Sequence, residues 1–308
     1  MFQKIKKNII FGNYWKMIKN RRAFIIGLRS LSLGIKEKKF LTKYKPWGVI
    51  IFKRNIKNFD QLLKLTTDIR KVFNDKNYPI LIDEEGGRVN RLKNLFDTSV
   101  FTGSFFGNLY KNNIKKFILY YTIYSKQISH ILKNVGININ TLPVLDVRRS
   151  YSDNIIGDRS FGYDPKTVSK IGDFCIKVFN KNRIGTVMKH IPGHGLAKVD
   201  SHKKTPIVNE DINVLNKIDF YPFKNKECFF AMTAHVVYKK IDKFNTATHS
   251  KKIINLIRNK IKFKNLIISD DLSMNSLKGT IKNKTIKTFS AGCNLVLHCN
   301  GNFKEMEI

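Results

Sequence analysis

Short apolar runs alternate with amphipathic segments along almost the whole chain, and this alternation restricts the fold more than any other feature. The runs are rich in Ile and Val and too short for most buried helices, which is typical of parallel strands covered on both faces. They are FIIGL (24–28), WGVIIF (47–52), PILIDE (79–84), INTLPVLDV (139–147), IGTVMKH (184–190), CFFAMTAHVV (228–237), NLIISDD (265–271) and NLVLHC (294–299). The runs predict eight strands.

The segments between the runs have the spacing of helices that bury one face. In FDQLLKLTTDIRKVF (59–73), Leu62, Leu65 and Ile69 fall on one side of a helix. Similar patterns occupy 112–136, 164–179 and 250–261. Strands that alternate with helices indicate βαβ units and a parallel sheet.

Eight such units predict an α/β protein with a (β/α)8 TIM-type barrel as its single domain. A doubly wound open sheet is the alternative, but its GxGxxG fingerprint after the first strand is absent. We expect residues 1–22 to be a basic N-terminal extension and residues 23–308 to form the barrel domain. The sequence stops soon after the last predicted strand, so the barrel is expected to lack its last helix.

The formal net charge of +34 raises the question of nucleic-acid binding. Lysines occur in nearly every predicted helix instead of concentrating in one tail or on one face, which favours compositional bias and no nucleic-acid partner.

No apolar run is long enough to span a bilayer, so no membrane span is expected. The four cysteines form no CxxC pair, as in a reduced cytosolic protein. A monomer is the default expectation.

Ionisable residues lie at the carboxyl ends of five of the predicted strands. They are Asp83, Asp146, Lys189, His190, His235, Asp270 and Asp271. A single Asp in such a place is often the N-cap of the next helix. Because the carboxyl ends of all strands in a parallel barrel meet at one rim, where active sites are built, the set as a whole predicts a functional site.

The loop KHIPGHGLAKVDSH (189–202) collects further ionisable groups, and three interpretations compete. A zinc site could use His190, His194, Asp200 and His202, but a glycine-containing loop is a poor ligand frame and HExxH is missing. A phosphate cradle would need GxxxxGK[ST] at the start of a helix, which is also absent. Proton transfer is the remaining interpretation.

The spacing of Asp200 and His202 lets the carboxylate reach the imidazole of the same loop. An Asp partner orients a His and favours its protonated form, which suits a general acid and base. The second component of a two-step displacement would be a carboxylate nucleophile, and Asp270 at a strand end is well placed for that role.

Five motifs together resemble the family 3 glycoside hydrolases, within them the β-N-acetylglucosaminidase branch. They occur in the family's order, from about residue 24 to 301: IDEEGGRVNRLK, IIGDRSFGYDP, KHIPGHGLAKVDSH, AMTAHVVY and LIISDDLSM. The combination of KH-PGHG-DSH with SDDLSM is highly specific, whereas each motif alone is moderate evidence.

The resemblance implies a retaining exo-β-N-acetylglucosaminidase that acts on muropeptides in the cytoplasm and needs no cofactor or metal. It implies that Asp270 is the nucleophile, that His202 paired with Asp200 is the general acid and base, and that Asp83 binds sugar hydroxyls. Further sugar-binding residues implied by the resemblance are Arg91, Arg159, Lys189 and His190. We also hypothesise that Gly193 and Gly195 let the loop move His202 over the sugar.

One residue in these motifs departs from the family pattern. Glu84 stands where the family has Gln, and we expect little effect because Asp83 and Arg88 are present. Two other functions stay open: a family 3 enzyme with another β-glycoside specificity, and a basic binding protein on a decayed barrel. The DSH motif argues against the other specificity, and the intact spacing of the motifs argues against the decayed barrel.

Overall fold

The computed structural model describes residues 20–149, 155–197, 199 and 204–307. Within these residues, eight parallel strands close into a barrel. The barrel strands are β1 (Arg22–Gly27), β2 (Pro46–Ile51), β3 (Ile80–Ile82), β4 (Ile139–Asn140), β5 (Gly185–Ile191), β7 (Phe230–Thr233), β9 (Leu266–Asp271) and β10 (Leu295–His298). Their order around the barrel is β1, β10, β9, β7, β5, β4, β3, β2. The predicted (β/α)8 barrel is confirmed.

Two further strands lie outside the barrel and pair only with each other. β6 (Ile207–Val208) and β8 (Val237–Tyr238) form a short parallel sheet in which Ile207 faces Val237. Because β6 follows the 189–202 loop and β8 follows β7, this sheet ties the downstream end of the loop to the neighbouring strand connection.

The helices surround the barrel, and most of those predicted from the sequence begin at a capping side chain. Asn58, Asn113, Asp164 and Ser250 each accept a hydrogen bond from a backbone N–H in the first turn that follows. The helices are α1 (Ile35–Tyr44), α2 (Phe59–Phe73), α3 (Gly103–Asn112), α4 (Ile114–Asn134), α5 (Pro165–Lys181), α6 (Ile212–Lys217), α7 (Lys251–Asn259), α8 (Ile281–Ala291) and α9 (Phe303–Met306).

The core has two layers, because each strand buries both faces. Inside the barrel the side chains form a packed plug, and between the strands and the helices lies the larger layer. The plug consists of Ile25, Trp47, Ile50, Leu81, Ile139, Val187, Phe230, Met232, Ile268, Leu295, Leu297 and Cys299. The interior of the barrel is therefore filled, and a ligand has to bind at a rim.

The apolar run over 139–147 is a strand for only two residues, which corrects the longer strand expected from the sequence. Regular pairing ends at Asn140, shortly before Pro143, which has no N–H to donate to a ladder. Contact with β5 resumes at Val144, which forms an isolated bridge with Lys189. The remainder of the run is buried loop that continues along the barrel wall to Asp146.

The described residues after β10 include the short helix α9 (Phe303–Met306). The ring of Phe303 packs on Phe40 of α1 at a centroid distance of 4.9 Å. A groove of about 510 Å³ lies beside α9, and its apolar lining includes Phe24, Val296 and Phe289. No helix in the described part of the chain combines the length and apolar character that crossing a bilayer requires.

Gly107 of α3 lies directly against the backbone of the segment that follows Arg159. A Cβ at this position would lie 1.6 Å from the carbonyl oxygen of Phe161. We expect Gly107→Ala to lower the free energy of unfolding by about 2 kcal/mol or more through overpacking. This is opposite in sign to the gain of about 1 kcal/mol that Gly→Ala gives inside an exposed helix.

Gly34→Ala, at the N-cap of α1, is the control without overpacking, since the nearest atom to a Cβ there is 3.8 Å away. Chemical denaturation of both variants measures the two effects. An unchanged or increased unfolding free energy for Gly107→Ala would contradict the packing of α3 described above.

Candidate functional site

The ammonium group of Lys189 joins residues from three strands at the carboxyl end of the barrel. Its Nζ lies 3.1 Å from Asp83 Oδ1, 2.6 Å from Glu85 Oε1 and 2.8 Å from Thr141 Oγ1. Only 2% of Lys189 is exposed, so this charge is held by the protein and not by water. One buried cation thus fixes two carboxylates that follow β3.

Arg159 holds the second of these carboxylates from the opposite side. Its Nε and one terminal nitrogen bind the two oxygens of Glu85 at 2.7 and 2.9 Å, in the bidentate geometry that makes such pairs strong. Burial alone would raise the pKa of Glu85, but Arg159 and Lys189 lower it below its ordinary value. In the structure, Arg159 thus acts through Glu85, a residue that sequence reasoning did not select although it follows the same strand end.

Asp83 is the carboxylate that a ligand can reach. It accepts hydrogen bonds from the hydroxyl of Thr141 and from Arg91, whose guanidinium lies 3.5 Å away. Burial would raise the pKa of Asp83, but the nearby Lys189 and Arg91 lower it well below its ordinary value. Its side chain is 16% exposed and that of Arg91 is 28% exposed, so an anionic acceptor and a cationic donor face the rim together.

His190 is oriented by Asp146, which the sequence analysis placed at the rim without giving it a role of its own. The distance from His190 Nδ1 to Asp146 Oδ2 is 2.7 Å, and Asp146 is fully buried. A carboxylate beside Nδ1 favours the tautomer that is protonated there, so Nε2 of the neutral imidazole keeps its lone pair. Asp146 also accepts the backbone N–H of His194 at 2.7 Å, so one carboxylate holds both the ring and the start of the loop.

The glycines of this loop have a packing role in the structure. A Cβ on Gly195 would lie 1.9 Å from the carbonyl oxygen of Val147, and one on Gly193 would lie 2.9 Å from that of Asp219. The hydroxyl of Tyr238 also donates to the carbonyl of Gly193. The first turn of the loop is thus closely packed against its neighbours, and the movement of His202 over the sugar stays a prediction.

Asp200 and His202, the predicted acid and base pair, lie outside the described residues. The loop that carries them is described up to Ala197 and again from Lys204. Beyond His202, the hydroxyl of Thr205 donates to the carbonyl of Ser276 at 2.7 Å, in the segment that follows β9. Both described ends of the loop are therefore attached at the rim.

The two aspartates that end β9 have different environments. Asp271 accepts hydrogen bonds from the backbone N–H groups of Ser273 and Cys299 and from the hydroxyl of Ser273, at 2.6 to 3.0 Å. Within the described part of the chain, Asp270 accepts only the N–H of Asp271, at 2.7 Å, and forms no salt bridge. Asp271 is therefore built into the loop, whereas described residues leave most of the lone pairs of the Asp270 carboxylate available.

Asp270 is nevertheless kept in its charged form. Burial would raise its pKa, but the imidazoles of His235 and His190, the N–H of Asp271 and the ammonium of Lys189 together bring the pKa below its ordinary value. His235 is itself held by the hydroxyl of Thr248 at 2.7 Å. A partly exposed, ionised and weakly hydrogen-bonded carboxylate has the properties of a nucleophile.

Among the described residues, no group of three or more His, Cys, Asp or Glu side chains is arranged to hold a metal ion. The hypothetical zinc ligands Asp200 and His202 fall outside those residues, so this observation concerns only the rest of the rim. There, Asp83 and Glu85 are already neutralised by Lys189, Arg91 and Arg159.

Known proteins similar to this chain are glycosidases. The curated β-hexosaminidase of Hydrogenovibrio crunogenus is 31% identical over 284 residues, which is 90% of this chain and 78% of that protein. The β-hexosaminidase of Nitrosomonas eutropha is 33% identical over 264 residues, which is 82% of this chain and 73% of that protein.

Solved structures agree with these relatives. The crystal structure of NagZ from Neisseria gonorrhoeae in complex with N-trifluoroacetyl-D-glucosamine superposes with a TM-score of 0.83 at 28% identity, covering 93% of this chain and 84% of that one. The family model described as the glycosyl hydrolase family 3 N-terminal domain matches residues 26–308. A parallel barrel with these groups at its rim, matched by that model over nearly its whole length, belongs to glycosyl hydrolase family 3.

Proposed function

We propose that this protein is a retaining exo-β-N-acetylglucosaminidase. It removes the terminal non-reducing N-acetylglucosamine from peptidoglycan fragments of the GlcNAc-1,6-anhydroMurNAc type, in the cytoplasm and as part of cell-wall recycling. The similar β-hexosaminidases and the sugar-bound NagZ structure support the class of substrate. The difference between Asp270 and Asp271 is the observation that carries the proposed chemistry.

In the first step, an oxygen of Asp270 attacks C1 of the bound sugar while the bond from C1 to the leaving oxygen breaks. His202 gives its proton to that oxygen, with Asp200 stabilising the charged imidazole. The transition state resembles an oxocarbenium ion, so the negative charge of Asp270 stabilises it. The product is a glycosyl ester on Asp270 and a released muramyl fragment.

In the second step, His202 takes a proton from water, and the resulting hydroxide equivalent attacks C1 from the face that the leaving group vacated. The ester bond to Asp270 breaks, and the carboxylate returns to its charged state. Because each step inverts C1 once, the configuration at C1 is retained overall. The pair Asp200 and His202 replaces the second carboxylate found in most retaining glycosidases.

Binding of the sugar uses the charged groups next to the nucleophile. Asp83 accepts hydrogen bonds from hydroxyl groups, Arg91 adds donors beside it, and Lys189, which holds Asp83, and His190 lie around the same ring. Arg159 supports this set through Glu85. An array of fixed donors and acceptors suits a polyhydroxylated ring, because each hydroxyl both donates and accepts.

Asp270→Ala should lower turnover of 4-nitrophenyl β-N-acetylglucosaminide by at least about 10³-fold, since the nucleophile is lost. Added azide should restore part of the activity and give the α-glycosyl azide, because the anion attacks from the side that Asp270 occupied. Asp271→Asn is the matched control: it should lower thermal stability and leave turnover within about threefold of wild type, since its carboxylate serves the loop. Equal loss of turnover in both variants, with folding intact, would refute the assignment.

His202→Ala should slow hydrolysis of a muropeptide much more than hydrolysis of the 4-nitrophenyl substrate. Nitrophenolate leaves without protonation, whereas a sugar oxygen needs the acid.

Rates on the N-acetylglucosaminide and on the matching glucoside, measured side by side, test the substrate class. Preference for the glucoside would favour another family 3 specificity, and no turnover together with salt-sensitive RNA binding would favour the basic binding protein.

A further inference from the structure

Glu84 lies between two residues of the rim, yet its own side chain is fully buried. Among the described residues, its carboxylate forms no hydrogen bond or ion pair with Lys189 or with any other side chain that we assign to the sugar. One oxygen instead accepts the backbone N–H groups of Arg91 and Leu92 at 2.7 and 2.9 Å, and the other accepts the hydroxyl of Thr98 at 2.7 Å. The carboxylate thus holds both ends of the segment 91–98.

Glu84 is also fixed to the barrel through its backbone. Its N–H donates to Asn140 Oδ1 at 3.0 Å, and Asn140 Nδ2 donates to its carbonyl oxygen at 2.8 Å. Asn140 ends β4 and is fully buried. The backbone N–H of Arg91 is therefore connected to the barrel wall through only one intervening residue.

We propose that Glu84 is a positioning residue, which holds the backbone of Arg91 so that its guanidinium lies beside Asp83 where the sugar binds. This inference rests on the proposed function of the rim. The side chain of Arg91 is the more exposed partner of that pair and spans 3.5 Å to Asp83, so its place depends on where its backbone is held. Without Glu84, two N–H groups near the site lose their acceptor, and the segment that carries Arg91 is released.

A glutamine can perform the same task. Its amide oxygen can accept the two backbone N–H groups, and its amide nitrogen can donate to the hydroxyl of Thr98, which also accepts hydrogen bonds. The requirement at this position is thus an acceptor of fixed reach, and a negative charge is dispensable. Alanine at position 84 supplies neither an acceptor for the two N–H groups nor a partner for Thr98.

The kinetic test uses the 4-nitrophenyl N-acetylglucosaminide. Glu84→Ala should raise KM about tenfold and change kcat less than about threefold, because an interaction with the bound sugar is weakened while Asp270 and the loop are untouched. Glu84→Gln should restore KM to within about twofold of wild type. If the alanine variant does not fold, Glu84→Leu, which keeps the volume without acceptors, takes its place with the same expected KM.

Glu37 provides a matched control for the loss of a buried carboxylate. It is 4% exposed and accepts the backbone N–H groups of Arg29 and Gly34 at 3.1 and 2.9 Å. Glu37→Ala removes the same kind of interaction at the start of α1, so it should reduce stability and leave KM unchanged.

A double variant decides whether Glu84 acts through Arg91. If it does, Glu84→Ala combined with Arg91→Ala has the KM of Arg91→Ala alone, because the side chain to be positioned is already missing. The inference is overturned if the KM increase of the double variant is the product of the two single increases. An unchanged KM in Glu84→Ala or no rescue by glutamine would overturn it too.

Amide hydrogen exchange separates this inference from the proposed function. The N–H groups of Arg91 and Leu92 should lose protection in Glu84→Ala and keep it in Glu84→Gln, whether or not the protein cleaves the substrate. Wild type inert toward every hexosaminide, with this exchange pattern intact, refutes the proposed function alone. Unchanged protection in Glu84→Ala refutes the positioning role.

The same carboxylate predicts a pH dependence of stability. Burial raises the pKa of Glu84 to about 7, and the hydrogen bonds from Thr98, Leu92 and Arg91 together with the charge of Arg91 only partly oppose it. Tyr124 of α4 also faces this group. Because the unfolded chain releases the proton near pH 4.5 and the folded chain near pH 7, the wild type loses stability as pH rises between these values.

Glu84→Gln lacks this proton and should lose less stability over the same pH range. Thermal unfolding midpoints of both proteins at pH 5 and pH 8 measure the difference. A stability difference between them that does not grow with pH would show that the carboxylate is charged throughout.

Discussion

The contact of the Lys189 ammonium with Asp83 and Glu85 is the interaction on which the candidate site depends. It joins β5 to the end of β3 with less than a tenth of either Lys189 or Glu85 exposed. Breaking a buried ion pair by removing one partner leaves an uncompensated charge and is strongly destabilising. The same contact lowers the pKa of Asp83, so the stability of the rim and the charge presented to a ligand have a common origin.

Around this contact, four aspartates of the rim have different environments and different proposed roles. Asp83 faces the opening, Asp146 orients a histidine, Asp271 closes a turn, and Asp270 is left with its lone pairs available. Hydrogen-bond partners separate these roles, because residue type is the same in all four. A carboxylate with lone pairs available suits attack on carbon, which is the role proposed for Asp270.

The net positive charge of the whole chain does not predict the charge at the candidate site. Although the formal net charge is +34, Lys189, Arg91 and Arg159 at the rim are already paired with Asp83 and Glu85. A surface excess of lysine affects solubility and non-specific association. Recognition of a neutral sugar ring depends instead on the fixed donors and acceptors at the barrel mouth.

The amino-acid sequence by itself predicted the barrel, four of the nine described helices and the charged residues at the strand ends, because periodicity and strand ends are local properties of the chain. It did not reveal that 139–147 leaves the sheet after two residues, since a buried loop and a buried strand have the same apolar composition. Nor did it distinguish Asp270 from Asp271 on physical grounds or identify Glu85 as the link between Lys189 and Arg159. Tertiary structure decided those points, because hydrogen bonds between residues far apart in the chain assign each carboxylate its partners.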